Sequence, residues 1–139
     1  MRYLINTNVW IVYLKQASTD VRTRLEQTSA SEIAVFSVVW AELLHGARKY
    51  EKREVREHKI ELTLDPFLCL PFDLPAARHY ANIRDELERA GQPIGGNDLL
   101  IAAIALANNL IVVTNNSGEF RRVPGLSVED WSTPAKFKP

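Results

Sequence analysis

Four short stretches of this sequence set a polar or acidic side chain where an apolar element begins or ends. "INTN" places Asn6 and Asn8 behind an apolar run, and "SVVWAELLHGA" places Glu42 among Trp40, Ala41, Leu43 and Leu44. "GGNDLLIAA" places Asp98 at the head of the most apolar helix, and "LIVVTNNSGEF" carries Thr114, Asn115, Asn116 and Glu119 just past an apolar run. Oxygen donors of this kind, gathered in one place, are what a hard divalent cation takes. A cation held by them can activate a water and neutralise charge on a phosphate. Taken singly, each residue has an ordinary explanation. Asp98 suits the positive end of a helix, Glu42 could face solvent on an amphipathic helix, and Asn6 and Asn8 suit turns and caps. Asn116 and Glu119 suit a loop. Only convergence would make them a site.

The elements that must supply that convergence alternate between strand and helix. Residues 2–5 read as a strand buried on both faces, followed by a helix over 9–15, and a second helix spans 19–27 with Ser18 as its N-cap. "EIAVFS" (32–37) is the next strand and 38–50 a helix, and a charged helix runs from 51 at least to Leu64, because Pro66 disfavours helix at Asp65. "LCLPF" is a short strand, Pro75 opens a helix that runs to about residue 90, and "GQPIGG" (91–96) is a glycine-rich loop. "NDLLIAAIALANN" (97–109) is an apolar helix and "LIVVT" (110–114) a buried strand. Residues 115–125 form a loop or a turn of helix, and "LSVED" is a last short strand. Such alternation predicts an α/β three-layer sandwich with a mainly parallel central sheet flanked by helices. Strand ends then share one edge, beside the starts of the following helices, and residues far apart in sequence meet there.

The 139 residues suffice for one domain, expected over residues 1–131 with a loose tail at 132–139. Apolar residues make up 46% and charged residues 24%, and 17 basic residues balance 17 acidic ones. Zero net charge removes any bulk attraction to nucleic acid or anionic membrane, so such binding must come from local patches. The single Cys69 excludes an internal disulfide and, within "FLCLPF", reads as a buried inert thiol. No signal peptide is visible, and the longest apolar run, residues 99–107, is too short to cross a bilayer, for which about 20 residues are needed. A cytoplasmic protein is expected.

In order and spacing, "YLINTNVWIVYL", "SVVWAELLHGA", "GQPIGGNDLLIAAIALANN" and "LIVVTNNSGEFRRVPGL" resemble the PIN-domain ribonucleases, specifically the VapC-type toxins of bacterial toxin–antitoxin pairs. The resemblance covers nearly the whole chain. It implies a PIN-like fold and a metal-dependent endoribonuclease using Mg²⁺ or Mn²⁺. By the same resemblance the family's acidic positions fall on Asn6, Glu42 and Asp98, with the fourth at either Asn116 or Glu119, and Thr114, Asn8 and Asn116 as polar support. One departure matters. The family has "DTN" where this chain has "NTN".

An amide at position 6 keeps the size of aspartate and one carbonyl oxygen, but removes a negative charge and turns an NH₂ toward any metal. The expected consequence is an intact fold with weakened metal binding and greatly reduced catalysis. Either the parent sequence carries aspartate there and this chain is an inactivated variant, or it is a naturally degenerate member.

The resemblance also implies an RNA substrate, tRNAs among the targets, and a VapB-type antitoxin that lies in a hydrophobic groove and often delivers an arginine into the acidic site. A homodimer or toxin–antitoxin hetero-oligomer is implied as well, and no membrane. Arg121 and Arg122, and with them Arg84 and Arg89, are the cations expected near the pocket. "RKYEKREVREHKIE" (48–61) mixes signs at helical spacing and reads first as an exposed, ion-paired helix, with RNA contact the alternative. Trp10, Trp40, Tyr13 and Phe36 suit either a groove or the core. His45, three residues after Glu42, does not make a di-metal motif, which needs a second copy on a helical bundle. Two rivals stand beside the nuclease. One is a non-catalytic RNA- or protein-binding module with vestigial acids. The other is an aspartate-based phosphatase, disfavoured because positions 6 and 8 are both amides and no Gly-rich phosphate cradle follows.

Overall fold

The computed structural model describes residues 1–132, so most of the expected tail lies outside the described residues. Five strands form one sheet: β1 (Tyr3–Ile5), β2 (Ile33–Phe36), β3 (Leu68–Leu70), β4 (Ile111–Val113) and β5 (Val128–Glu129). Their order is β3-β2-β1-β4-β5 and every pairing is parallel, with Tyr3 opposite both Ile33 and Ile111. Parallel strands need crossovers. They are α1 (Thr7–Leu14) with α2 (Thr19–Gln27), then α3 (Ser37–Ala47) with α4 (Arg53–Leu64), then α5 (Leu74–Arg89) with α6 (Gly96–Asn108), and last the short α7 (Ser117–Phe120). Right-handed crossovers put the helices between β1, β2 and β3 on one face. The return from β3 to β4 puts α5 and α6 on the other, where they pack together.

The sheet interior explains the apolar runs. Leu4, Ile5, Val35, Val112 and Val113 are fully buried, as strands covered on both faces require. From α6, Ile101, Ala102, Ala103, Ile104 and Ala105 all join the core, so its small residues let the helix lie close on the sheet. Trp131 is fully buried, edge-to-face on Tyr3 at 5.0 Å, with Arg24 over its ring at 4.9 Å. No helix of the described residues is long and apolar enough to cross a membrane.

Differences from the expected boundaries have local causes. The first helix starts at Thr7 instead of residue 9, because the Asn6 side chain accepts from the Thr7 N–H and caps it. Helix α3 stops at Ala47, and Lys52, in the left-handed region at φ 60°, separates it from α4. The charged run is an exposed, ion-paired helix, with Arg53 donating to Glu57 at 2.9 Å and Arg48 ion-paired with the same carboxylate at 3.8 Å. Trp10 and Phe36 are core residues, while Tyr13 and Trp40 are partly buried.

The expectation of a buried Cys69 is overturned. The thiol is exposed because β3 is an edge strand, paired only with β2, and Leu68 beside it is 57% exposed. Partial burial still pushes the thiol's pKa up, so the thiolate is scarce. A disulfide reagent is therefore expected to titrate one thiol in the folded protein without denaturant, slowly at neutral pH and faster as pH rises. Reaction only after unfolding would contradict the exposed edge.

Candidate active site

Strand order places the reversal of the sheet between β1 and β4: the chain builds outward from β1 through β2 to β3, then returns to β1's other side. In an open parallel sheet that reversal opens a crevice at the carboxyl ends of the strands. Asn6 and Thr114 are the first residues past those two strands. Both are buried, and they face each other, with Asn6 Nδ2 donating to Thr114 Oγ1 at 3.2 Å.

From this pair a chain of hydrogen bonds runs along the edge in both directions. On one side Asn6 Oδ1 accepts from the Thr7 N–H at 2.8 Å, and the Thr7 hydroxyl donates to Glu42 Oε1 at 2.9 Å. Glu42 thus points to the first residue of α1, and it is half-buried. On the other side Thr114 Oγ1 also accepts from Asn8 Nδ2 at 3.3 Å and from the Asn116 N–H at 3.0 Å. Asn116 Nδ2 donates to Glu119 Oε2 at 2.7 Å, and the Gly95 N–H donates to Glu119 Oε1 at 2.6 Å. Asn8 Oδ1 takes the Asn115 N–H at 3.3 Å, which fixes the start of the loop.

Asp98, in the first turn of α6, completes the group. Burial pushes its carboxyl up to about 6, and the charge of Glu119 and, with less effect, of Glu42 adds to the rise. Glu119 moves the opposite way. The Gly95 N–H holds it below the usual carboxylate range, helped by Asn116, by a hydrogen bond with Asp98 and by the charge of Arg122. Of the two, Asp98 is therefore the acid that holds a proton as pH falls to about 6, with Glu119 as its acceptor. A Cβ at Gly95 would lie 3.7 Å from both Asp98 Oδ2 and Glu119 Oε1, ordinary contact that would nonetheless fill the space between them.

Of the residues expected to form a site, the sheet edge brings together Asn6, Asn8, Glu42, Asp98, Thr114, Asn116 and Glu119. Arg122 stands beside Glu119 and donates to the Pro93 carbonyl at 3.2 Å, whereas Arg121 is exposed and makes no such bond among the described residues. Arg84 and Arg89 pair instead along α5, with Glu88 and Asp85. Two contributors went unforeseen, the Thr7 hydroxyl and the Gly95 backbone. The first had a signal in its place between two asparagines of the elbow. The second had none, because a backbone N–H carries no side-chain mark.

All the donors are oxygens, as a hard cation prefers, and Mg²⁺ commonly takes only one or two carboxylates directly and water for the rest. Asp98 and Glu119 are the residues that would hold it, and the repulsion raising Asp98 is what a cation would relieve. Among the described residues, however, no three Asp, Glu, His or Cys side chains stand close enough to hold a metal between them. Glu119→Gln is expected to bring Asp98 back down toward its usual range, followed by carboxyl NMR; an unmoved Asp98 would mean burial alone sets it.

Residues 3–126 match the PIN domain family. The tRNA(fMet)-specific endonuclease VapC of Shigella flexneri is 38% identical over 132 residues, covering 95% of this chain and 99% of that protein. Among solved structures, VapBC2 of Rickettsia felis bound to a DNA fragment from its promoter superposes with TM-score 0.86 at 36% identity, over 94% of this chain and 99% of that one. DNA-bound VapBC of Salmonella typhimurium gives 0.88 at 34% identity, over 94% and 98%.

Proposed function

The chain belongs to the PIN-domain family, among its VapC-type members, and from that premise we propose that it is an endoribonuclease toxin with an attenuated active site. The observation that carries the reading is the hydrogen-bonded arc linking Glu42, Thr7, Asn6, Thr114, Asn116 and Glu119 to Asp98 at the reversal of the sheet. Such an acid cluster is costly in a structural protein, because the carboxylates repel one another.

The reaction proposed is hydrolysis of an RNA phosphodiester, with Mg²⁺ or Mn²⁺ as cofactor. When bound, the cation supplies positive charge to the phosphate and acidity to a water. The chain's own residues do the rest. Asp98, whose raised carboxyl a cation would bring back down, would help hold that cation beside the phosphate. Glu119, locked by Gly95 and Asn116, keeps its charge and orientation and is the fourth acid in preference to Asn116, whose amide serves it as a donor. Thr7 aims Glu42. Arg121 is the exposed cation available to a phosphate.

With Asn6 in place, the chain is expected to bind RNA and partner while cutting slowly. Structural relatives at 34–36% identity are VapBC assemblies, which supports a VapB-type antitoxin as partner here. The Shigella flexneri relative makes tRNAs the substrate class of first choice. Pulsed production of the Asn6→Asp protein, followed by sequencing of RNA ends, should reveal new ends at a few positions, suppressed by the co-produced antitoxin. No new ends would overturn the proposal.

A further inference from the structure

A cavity of about 290 Å³ opens between α1, α3 and α4, and Glu42 of the acid arc forms part of its wall. Its floor is apolar, with Leu43 and Ile60 buried and Ile11 38% exposed. Its rim is basic. Lys59 is committed to structure, since Nζ donates to the Leu14 carbonyl at 3.0 Å and caps the end of α1. Lys15 and Lys49 are exposed and make no hydrogen bond or ion pair with other described residues through their side chains. Arg56 uses Nε on the Glu51 carbonyl, and its guanidinium lies over the Tyr50 ring at 4.8 Å, leaving its terminal amines for another acceptor. Tyr50 itself is 58% exposed.

In a chain of zero net charge, this is a local concentration of cations directly continuous with the acid site. It calls for an anionic occupant with an apolar, stackable part. We infer that this cavity is the subsite for the RNA strand flanking the cleaved phosphate, with phosphates against Lys15, Lys49 and Arg56 and one base stacked on Tyr50. The inference rests on the ribonuclease reading above. Charge favours RNA over a protein segment: an apolar peptide would satisfy the floor and leave the free cations unanswered. Base–aromatic stacking beside an arginine is also how single strands are held without sequence readout. The charged helix that read first as a solvated, ion-paired face would thus carry a second role, on the side where its cations lack carboxylate partners.

The attenuated chain is itself the reagent, because binding can be measured with little cutting. Fluorescence polarisation with a labelled single-stranded RNA of about 15 nucleotides, titrated with salt, reads both affinity and phosphate contacts. Lys15→Ala with Lys49→Ala is expected to weaken binding roughly tenfold and to flatten the log–log salt slope by about 1.4, at about 0.7 per lost contact. Tyr50→Ala should lose about fivefold or more with the slope unchanged, and Tyr50→Phe should restore it. Arg22→Ala, which removes a cation paired with Glu26 on α2, should change neither. Melting temperatures matching the unaltered chain exclude unfolding as the cause. Unchanged affinity and slope in the lysine pair, with RNA still bound, would overturn this inference alone, including the case where a protein partner's binding falls instead. Failure of the unaltered chain to bind RNA would overturn the ribonuclease reading as well.

Discussion

Asn6→Asp is expected to raise RNA cleavage at least about a hundredfold in the presence of Mg²⁺ or Mn²⁺, and to make the protein's melting temperature respond to the cation. The argument lies in the polar accounting at Thr114. Its buried hydroxyl accepts from Asn6 Nδ2, Asn8 Nδ2 and the Asn116 N–H, at 3.2, 3.3 and 3.0 Å. A hydroxyl oxygen has two lone pairs and one hydrogen to give. Here it faces three donors, and its own hydrogen has no acceptor among the described residues. Turning the Asn6 amide over does not help, because Nδ2 would then meet the Thr7 N–H that Oδ1 now caps. A carboxylate closes the account: one oxygen caps Thr7, the other accepts the Thr114 hydroxyl, and Asn8 and Asn116 fill the two lone pairs. A hydrogen bond to a charged acceptor contributes about 1.5–3 kcal/mol. Against it stands repulsion from Glu42, Asp98 and Glu119, so without a cation the Asn6→Asp protein should melt no higher than the unaltered chain. Cation at about a hundred times its Kd would then add about 2.7 kcal/mol. The measurements are cleavage of a labelled tRNA and differential scanning calorimetry with and without Mg²⁺. Equal cleavage and equal metal response in the two proteins would show that position 6 is not a ligand position.

What could be read in the sequence depended on whether a residue's role is decided nearby. "LIVVT" and "NDLLIAAIALANN" are legible because each holds an unbroken apolar run, residues 110–113 and 99–107, and burial follows whichever neighbours arrive. The Asn6–Asn8 elbow is legible because a polar triplet between apolar runs must end a strand and cap a helix. Glu42 is different. Apolar residues surround it on α3, so no helix face tells whether it points in or out. Thr7, on another element, settles that. Cys69 failed for the same reason. Its neighbours are apolar, but β3 lies at the sheet edge, and edge position belongs to the strand order and not to the strand. Gly95 was beyond reach in kind, since its contribution is a backbone N–H brought to Glu119 across 24 residues of chain.

Asp98→Asn is expected to do two opposite things, and together they separate a functional acid from a helix-start acid. An acid present only to complement the helix dipole stabilises by about 0.3–1 kcal/mol, so removing it should lower the melting temperature. Asp98 instead has its pKa raised from 3.8 to about 6 by burial and by Glu119 and Glu42. The folded state therefore binds its proton more tightly than the unfolded state. Its contribution is fully present below the unfolded value, falls as pH rises through about 6, and stands as a net cost at neutrality. Discounted for partial solvent exposure, that cost is about 1–2 kcal/mol. It exceeds the lost dipole term, leaving a net gain of about 1 kcal/mol for the asparagine, or about 3 °C in this size range. The amide can also donate to Glu119 in place of the Asp98 proton. The gain should shrink as pH drops below about 6 and disappear near the unfolded value. In the Asn6→Asp background the same substitution should abolish cleavage, by at least about a hundredfold, and with it the stabilisation by Mg²⁺. A variant that melts higher while losing both catalysis and metal response identifies Asp98 as a group held at a thermodynamic disadvantage for the sake of the reaction. One that melts lower and still cuts would return it to the ordinary role of an acid in the first turn of α6.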